Sequence, residues 1–198
     1  TNISSKDIQY AKEMGCAIKL LGVARYTETG IEVRVHPMLI PLDHPLAGVN
    51  DAFNAVFVHG DAVDDAMFYG RGAGEMPTAS AVMGDIIDVA RNIQFHCCGR
   101  IHCTCYKNLP IKKITEIESK YFMRMLVEDK PGVLAKIADT LGRNNVSIAQ
   151  VVQKNKINDL AELVVITDSV LEQNFADALT SIKGMDITKE ISTVIRVY

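Results

Sequence analysis

The stretch Tyr121–Val152, YFMRMLVEDKPGVLAKIADTLGRNNVSIAQVV, changes its hydrophobic period twice. Tyr121, Met123, Met125 and Val127 alternate with Phe122, Arg124, Leu126 and Glu128, which is the period of a strand. After DKPG the spacing lengthens, and Leu134, Ile137, Ala138 and Leu141 fall on one helical face. Pro131 and Gly132 allow a sharp strand-to-helix turn, and the free amides of such a helix start can hold a carboxylate or another anion. Simple turn chemistry explains the same residues equally well. Asn144 and Asn145 suit a left-handed stop at the other end of the helix, and VSIAQVVQK returns to strand period.

The pattern continues downstream. LAELVVITD reads as a third strand. Leu171, Phe175, Ala178, Leu179 and Ile182 share a helix face that ends at Gly184, and ISTVIRVY is the last strand. The order over 120–198 is β-α-β-β-α-β, a ferredoxin-like unit. Met123 and Met125 are expected in its core.

Upstream the composition differs. Residues 95–119 read as a polar linker that contains a cysteine cluster and one proline. Before it, Ser4 and Asp7 have the spacing of a capping box for a short helix that stops at Gly15. AIKLLGVAR and GIEVRVHPMLIP read as an antiparallel hairpin. In its second strand Ile31, Val33 and Val35 are expected to face inward, with Glu32 and Arg34 on a solvated face. NAVFVHG and DDAMFYG form two further short strands. Gly70, Gly72 and Gly74 then precede a helix with Pro77 in its first turn and a stripe of Ala79, Val82, Ile86 and Val89. Nothing over 1–94 alternates strand and helix as a parallel nucleotide-binding sheet must. The fold class is therefore α+β: an antiparallel or mixed sheet with helices, followed by a ferredoxin-like βαββαβ domain. The expected divisions are 1–94, 95–119 and 120–198.

Composition narrows the function. Of 198 residues, 48% are apolar and 23% charged, and the net charge is −3, which suits a soluble globular chain. There is no basic excess to attract nucleic acid or an anionic membrane, so neither is an expected partner. No apolar run approaches the roughly 20 residues of a membrane span, and the polar N-terminus lacks a signal-peptide layout. The chain reads as cytoplasmic, with reduced thiols. Four of its five cysteines crowd into HCCGRIHCTCY. Cys97, Cys98, Cys103 and Cys105, with His96 and His102, offer soft ligands, but their C-C and C-x-C spacing is poor for zinc. Structural or incidental thiols fit better, and no metal is expected. A redox disulfide is a third reading. His36, His44 and His59 fit packing or surface roles better than catalysis. The glycine loop has two readings. It either turns a strand tightly onto a packed helix, or it brings backbone close to a dinucleotide.

Two resemblances extend this reading. The D-x-P-G-V-L turn at 129–134 and the N-N-V-S-I segment at 144–148 resemble the ACT domain, a module that binds amino acids and regulates metabolic enzymes. The resemblance spans 120–198 and implies effector contacts at Asp129, Gly132, Val133, Leu134, Asn145 and Ile148, where one module meets another. DIQYAKEMGCAIKLLGVAR, VHPMLIPLDHPLAGVNDAFNAV and GRGAGEMPTASAVMGDI, in that order, resemble the substrate-and-dimerisation domain of homoserine dehydrogenase. This resemblance covers about 1–94. It implies a parent enzyme that interconverts L-homoserine and L-aspartate 4-semialdehyde with NAD or NADP, on the route to threonine and methionine. Threonine is then the natural effector, and a dimer or higher homo-oligomer is expected.

The family's Rossmann domain and catalytic lysine precede the segment seen here. The chain thus reads as a C-terminal piece that holds no catalytic residue, is inactive alone and binds no cofactor by itself. Within it, Gly72 and Gly74 are the implied cofactor-edge positions. The competing reading is a stand-alone amino-acid sensor whose first half is only a dimerisation platform. A third is a zinc-stabilised interaction protein.

Overall fold

The computed structural model describes residues 3–97, 107–157 and 159–198. The chain divides into two compact units, one of Thr1–Leu42 with Leu109–Tyr198 and one of Asp43–Asn108. The first unit therefore unites the N-terminal segment with the whole ferredoxin-like module.

The first unit starts with α1 (Ser5–Glu13) and the strands β1 (Cys16–Thr27) and β2 (Gly30–Pro41). β1 and β2 pair antiparallel along their full lengths, from Cys16 opposite Pro41 to Thr27 opposite Gly30. Gly30 has φ +144°, and a Cβ there would collide with the Pro110 carbonyl oxygen. The approach is close because the returning chain bonds to β2: Ile31 N–H donates to Pro110 O, and Lys112 N–H donates to Ile31 O, both at 2.9 Å.

The module that follows consists of β5 (Glu118–Glu128), α3 (Val133–Arg143), β6 (Ile148–Ile157), β7 (Leu160–Thr167), α4 (Glu172–Lys183) and β9 (Thr188–Val197). A two-residue strand, β8 (Val170–Leu171), also pairs with the start of β5. The sheet order is β1-β2-β9-β5-β7-β6. The βαββαβ order expected from the sequence is present, and β9 extends it into the N-terminal hairpin. Met38 and Leu39 pair in parallel with Arg196 and Val197, so one mixed sheet runs through the whole unit.

Both faces of the sheet are covered at β5, β7 and β9. On one, Met123, Met125, Ile137, Leu141, Leu163 and Ile182 form the core between the strands and α3 and α4. On the other, Tyr10 and Ala11 of α1 pack with Leu39, Phe122, Val164 and Ile195. At about 25 cal/mol per Å² of apolar area, this second layer is a substantial reason for α1 to fold against the module.

β2 corrects the expected alternation. Glu32 and Arg34 are buried, whereas Val33 and Val35 are exposed. The polar pair turns inward because it finds partners there. Lys112 Nζ lies 3.8 Å from Glu32, and Arg34 Nη1 donates to Ser119 Oγ at 2.8 Å.

The second unit holds a 3₁₀ turn (Pro45–Gly48), the strands β3 (Phe53–Gly60) and β4 (Asp64–Arg71), and α2 (Glu75–Gln94). β3 and β4 form a separate two-stranded sheet. The helix expected after the glycines is present, but none of its residues is buried. Its stripe of Val82, Ile86 and Val89 is exposed.

Candidate functional site

The turn between β5 and α3 is built as its sequence requires. Gly132 is the N-cap of α3 with φ +87°, a left-handed conformation that glycine takes without a Cβ clash. No side chain caps this helix start, so the unsatisfied first-turn amides are open to a ligand. Leu134 is exposed beside it, while Val133 points into the core. Asp129 is half-buried; its N–H donates to Asp159 O at 3.1 Å, and its Oδ1 accepts from Gln153 Nε2 at 3.5 Å.

Asn145 and Ile148 lie elsewhere. Asn145 has φ +57° just beyond the C-terminal end of α3, so the 11-residue helix separates it from Gly132 by about 16 Å. Strand register agrees. Glu128 is level with Leu160 and Ile157, whereas Ile148 is level with Thr167 at the opposite end. The six expected effector contacts thus form two groups at opposite ends of one module. Asp129, Gly132, Val133 and Leu134 make one group, and Asn145 and Ile148 the other.

In the glycine loop, Gly74 is the N-cap of α2 with φ +129°. A Cβ on Gly72 would run into the Asn54 side chain, and Gly72 N–H donates to Ala52 O at 3.0 Å. Gly72 therefore has a local packing reason to lack a side chain. Both glycines are exposed, and α2 has no side-chain cap, so backbone at this helix start is accessible to an anionic group.

Other sequence candidates are placed individually. Cys97 is half-buried, and its Sγ donates to Phe95 O at 3.2 Å. Cys98, His102, Cys103 and Cys105 lie outside the described residues. Among the described residues no three His, Cys, Asp or Glu side chains group to hold a metal. His44 Nδ1 accepts from Leu46 N–H and starts the 3₁₀ turn, and exposed His59 lies 2.7 Å from Asp65. Burial pulls the half-buried His36 below the usual imidazole range. Among the described residues no helix is long and apolar enough to cross a membrane.

Sequence reasoning missed a buried ionic cluster between α1 and the module. Arg124 Nε donates to Asp7 Oδ1 at 2.7 Å and its Nη1 to Glu162 Oε1 at 3.2 Å. Thr193 Oγ1 and Ser4 Oγ complete it through Asp7 Oδ2, at 3.0 and 2.6 Å. Burial pushes the Asp7 carboxyl up, but hydrogen bonds from Arg124, Ser4 and Thr193 outweigh it and bring it down to about 2. One signal was available: Arg124 interrupts a run of large apolar residues, which a solvated face would not place between Phe122 and Leu126.

Comparison with known proteins agrees with these observations. Residues 1–87 match the family model described as homoserine dehydrogenase, and residues 121–185 match the ACT domain model. The chain is 42% identical over 202 residues to a homoserine dehydrogenase of Neisseria gonorrhoeae, covering 99% of the chain and 46% of that relative. It is 41% identical over 201 residues to one of Corynebacterium glutamicum, covering 99% and 45%. The crystal structure of a homoserine dehydrogenase from Thiobacillus denitrificans superposes with a TM-score of 0.89 at 37% identity, covering 99% of this chain and 46% of that one. The chain thus spans a little under half the length of the relatives it matches. With both family models matched in order and these relatives covering nearly all of its residues, the chain belongs to the homoserine dehydrogenase family and carries an ACT domain in its second half.

Proposed function

We propose that the chain is the substrate-domain and regulatory part of an enzyme that interconverts L-homoserine and L-aspartate 4-semialdehyde. NAD or NADP would supply the chemistry by taking up or giving the hydride. The backbone at Gly72 and Gly74 would line the edge of the cofactor site, because neither position carries a side chain and the start of α2 has no side-chain cap. The main nucleotide contacts and the catalytic lysine would come from sequence outside 1–198. We therefore expect no dehydrogenase activity from this chain alone.

The ACT domain would bind an amino acid as feedback effector, with threonine as the first candidate. The split of the six contacts into two end groups carries this reading. Two modules side by side and antiparallel would bring Asp129, Gly132 and Leu134 of one copy to Asn145 and Ile148 of the other, and would do so twice. The effector carboxylate would meet the open amides of the α3 start, and its ammonium would meet Asp129. Such a site requires a homo-oligomer. The continuous sheet would give its occupancy a path to the N-terminal hairpin, because β9 pairs with β5 on one side and with β2 on the other.

Calorimetry of the chain with L-threonine tests the proposal. We expect a threonine site in each module that strengthens in the oligomer, and loss of that site in both Asp129→Ala and Asn145→Ala. Absence of both heat and thermal shift would remove threonine as effector of this chain. Loss of binding in only one of the two variants would remove the two-copy site.

A further inference from the structure

Arg34 differs from the sheet's other buried or half-buried arginines, Arg124 and Arg196. Arg124 is paired with Asp7 and Glu162, and Arg196 with Glu172. Arg34 is as buried, at 8% exposure against 7% for Arg124. Yet its one hydrogen bond among the described residues is the donation from Nη1 to Ser119 Oγ, and its Nε is buried with no partner. No ion pair joins it to a carboxylate side chain of the described residues, and the residues outside that set include no Asp or Glu. Burial pulls its guanidinium below the ordinary arginine value. Glu32 opposes that shift, and Arg25 and Arg196 add to it. An unpaired guanidinium in such a place is costly, since a buried charge ordinarily keeps a counter-charge.

The missing counter-charge has space. Arg34 lines a cavity of about 280 Å³ in the first unit, at the end of the sheet where β5 begins. Arg25 and Lys120 also line it, with Ser119 and Ser169 as hydroxyl partners and Met38 on the apolar side. Glu118 is the single acidic side chain among its walls. Three cations against the Glu118 carboxylate and the α-carboxylate of Tyr198 still favour an anion. The presence of Glu118 disfavours a dianion such as phosphate and offers a partner for an ammonium.

We propose that this cavity binds a small organic carboxylate of amino-acid size, with Arg34 as its anchor. The carboxylate accepts from the guanidinium in the forked geometry arginine offers. Ser119 holds the guanidinium in place, and Glu118 selects a ligand that carries an ammonium. The site lies at the Ile148 end of the module and does not rest on the Gly132 group, which lies beyond the other end of β5.

The test is nuclear magnetic resonance of the arginine Nε–Hε groups in the whole chain. The probes are L-threonine, propionate and inorganic phosphate. The expected result is a saturable shift of the Arg34 resonance with threonine, a weaker one with propionate and none with phosphate, all unchanged in Gly132→Ala. Glu118→Gln should weaken threonine and leave propionate as it was. Arg34→Met should melt no lower than the parent chain without ligand and lose the thermal shift that propionate induces. The proposal is overturned if no carboxylate moves the Arg34 resonance, if phosphate alone does, or if Arg34→Met keeps the propionate-induced thermal shift. It is also overturned if the resonance moves only with protein concentration, because the counter-charge would then be a carboxylate of a second copy.

Discussion

Helices α3 and α2 carry the same kind of apolar stripe and meet opposite fates. α3 buries Val133, Ile137 and Leu141 in the core of the first unit. α2 buries nothing, and Val82, Ile86 and Val89 stay exposed. The contrast extends to the units. The first has two apolar layers on a continuous sheet. The second has a lone two-stranded sheet and one buried apolar residue among those described, Ala47. Isolated hairpins and uncovered helices are marginal in water. Periodicity therefore shows which face of a helix is destined for burial, and only the number of neighbouring layers decides whether the chain itself supplies the cover.

The largest expected effect lies where the first unit commits charge to its interior. Arg124→Met leaves Asp7 buried without its cation and Glu162 with Lys6 alone, at 3.4 Å, and should cost roughly 3–5 kcal/mol in urea unfolding followed by β-sheet circular dichroism. A cost under about 1 kcal/mol would mean that α1 is not held through this cluster. Next comes a matched pair. Ile137→Ala should cost about 2–5 kcal/mol, because it opens a cavity in a packed core. Ile86→Ala should change the same transition by less than about 0.5 kcal/mol, because the side chain is already exposed. Similar costs for the two would erase the distinction between the units.

Acid acts on the first unit through Asp7. Its carboxyl is depressed to about 2 in the folded chain, against about 3.9 for an unfolded aspartate. Its contribution, roughly 2 kcal/mol, is complete above the unfolded value and is lost as pH falls toward the folded one. Asp7→Asn should flatten the acid limb of a stability–pH curve in that interval, while the neutral limb falls. A smaller loss than that of Asp7 concerns backbone alone. Gly132→Ala places a Cβ at φ +87° but in open space, so a loss of about 1 kcal/mol by thermal unfolding is expected, from conformation without a clash.

Much of this was legible in the residues, for a physical reason in each case. The strands and helices of 120–198 follow from period changes punctuated by Pro131, Gly132 and Gly184. The β1–β2 pairing follows from two apolar runs flanking a turn glycine. The inward Glu32 and Arg34 were not legible, because the Ser119 that holds Arg34 lies 85 residues away. Both faces of β5 being covered was equally hidden, since it depends on α1 returning across the sheet to Phe122. The effector candidates were found as a set of residue types. Their separation to opposite ends of the module follows from strand register, which period does not encode.

The central claim is that the N-terminal hairpin and the ACT module form one cooperative unit through the β2–β9 pairing and the Arg124 cluster, while β3, β4 and α2 stand outside it. Native-state amide hydrogen exchange on the intact chain tests this most directly. The account predicts that Leu39 and Ile40 exchange with the same opening free energy as Met123 and Val165, while amides throughout α2 exchange much faster. Exchange of Leu39 and Ile40 at the rate of α2, with Met123 and Val165 still protected, would contradict it.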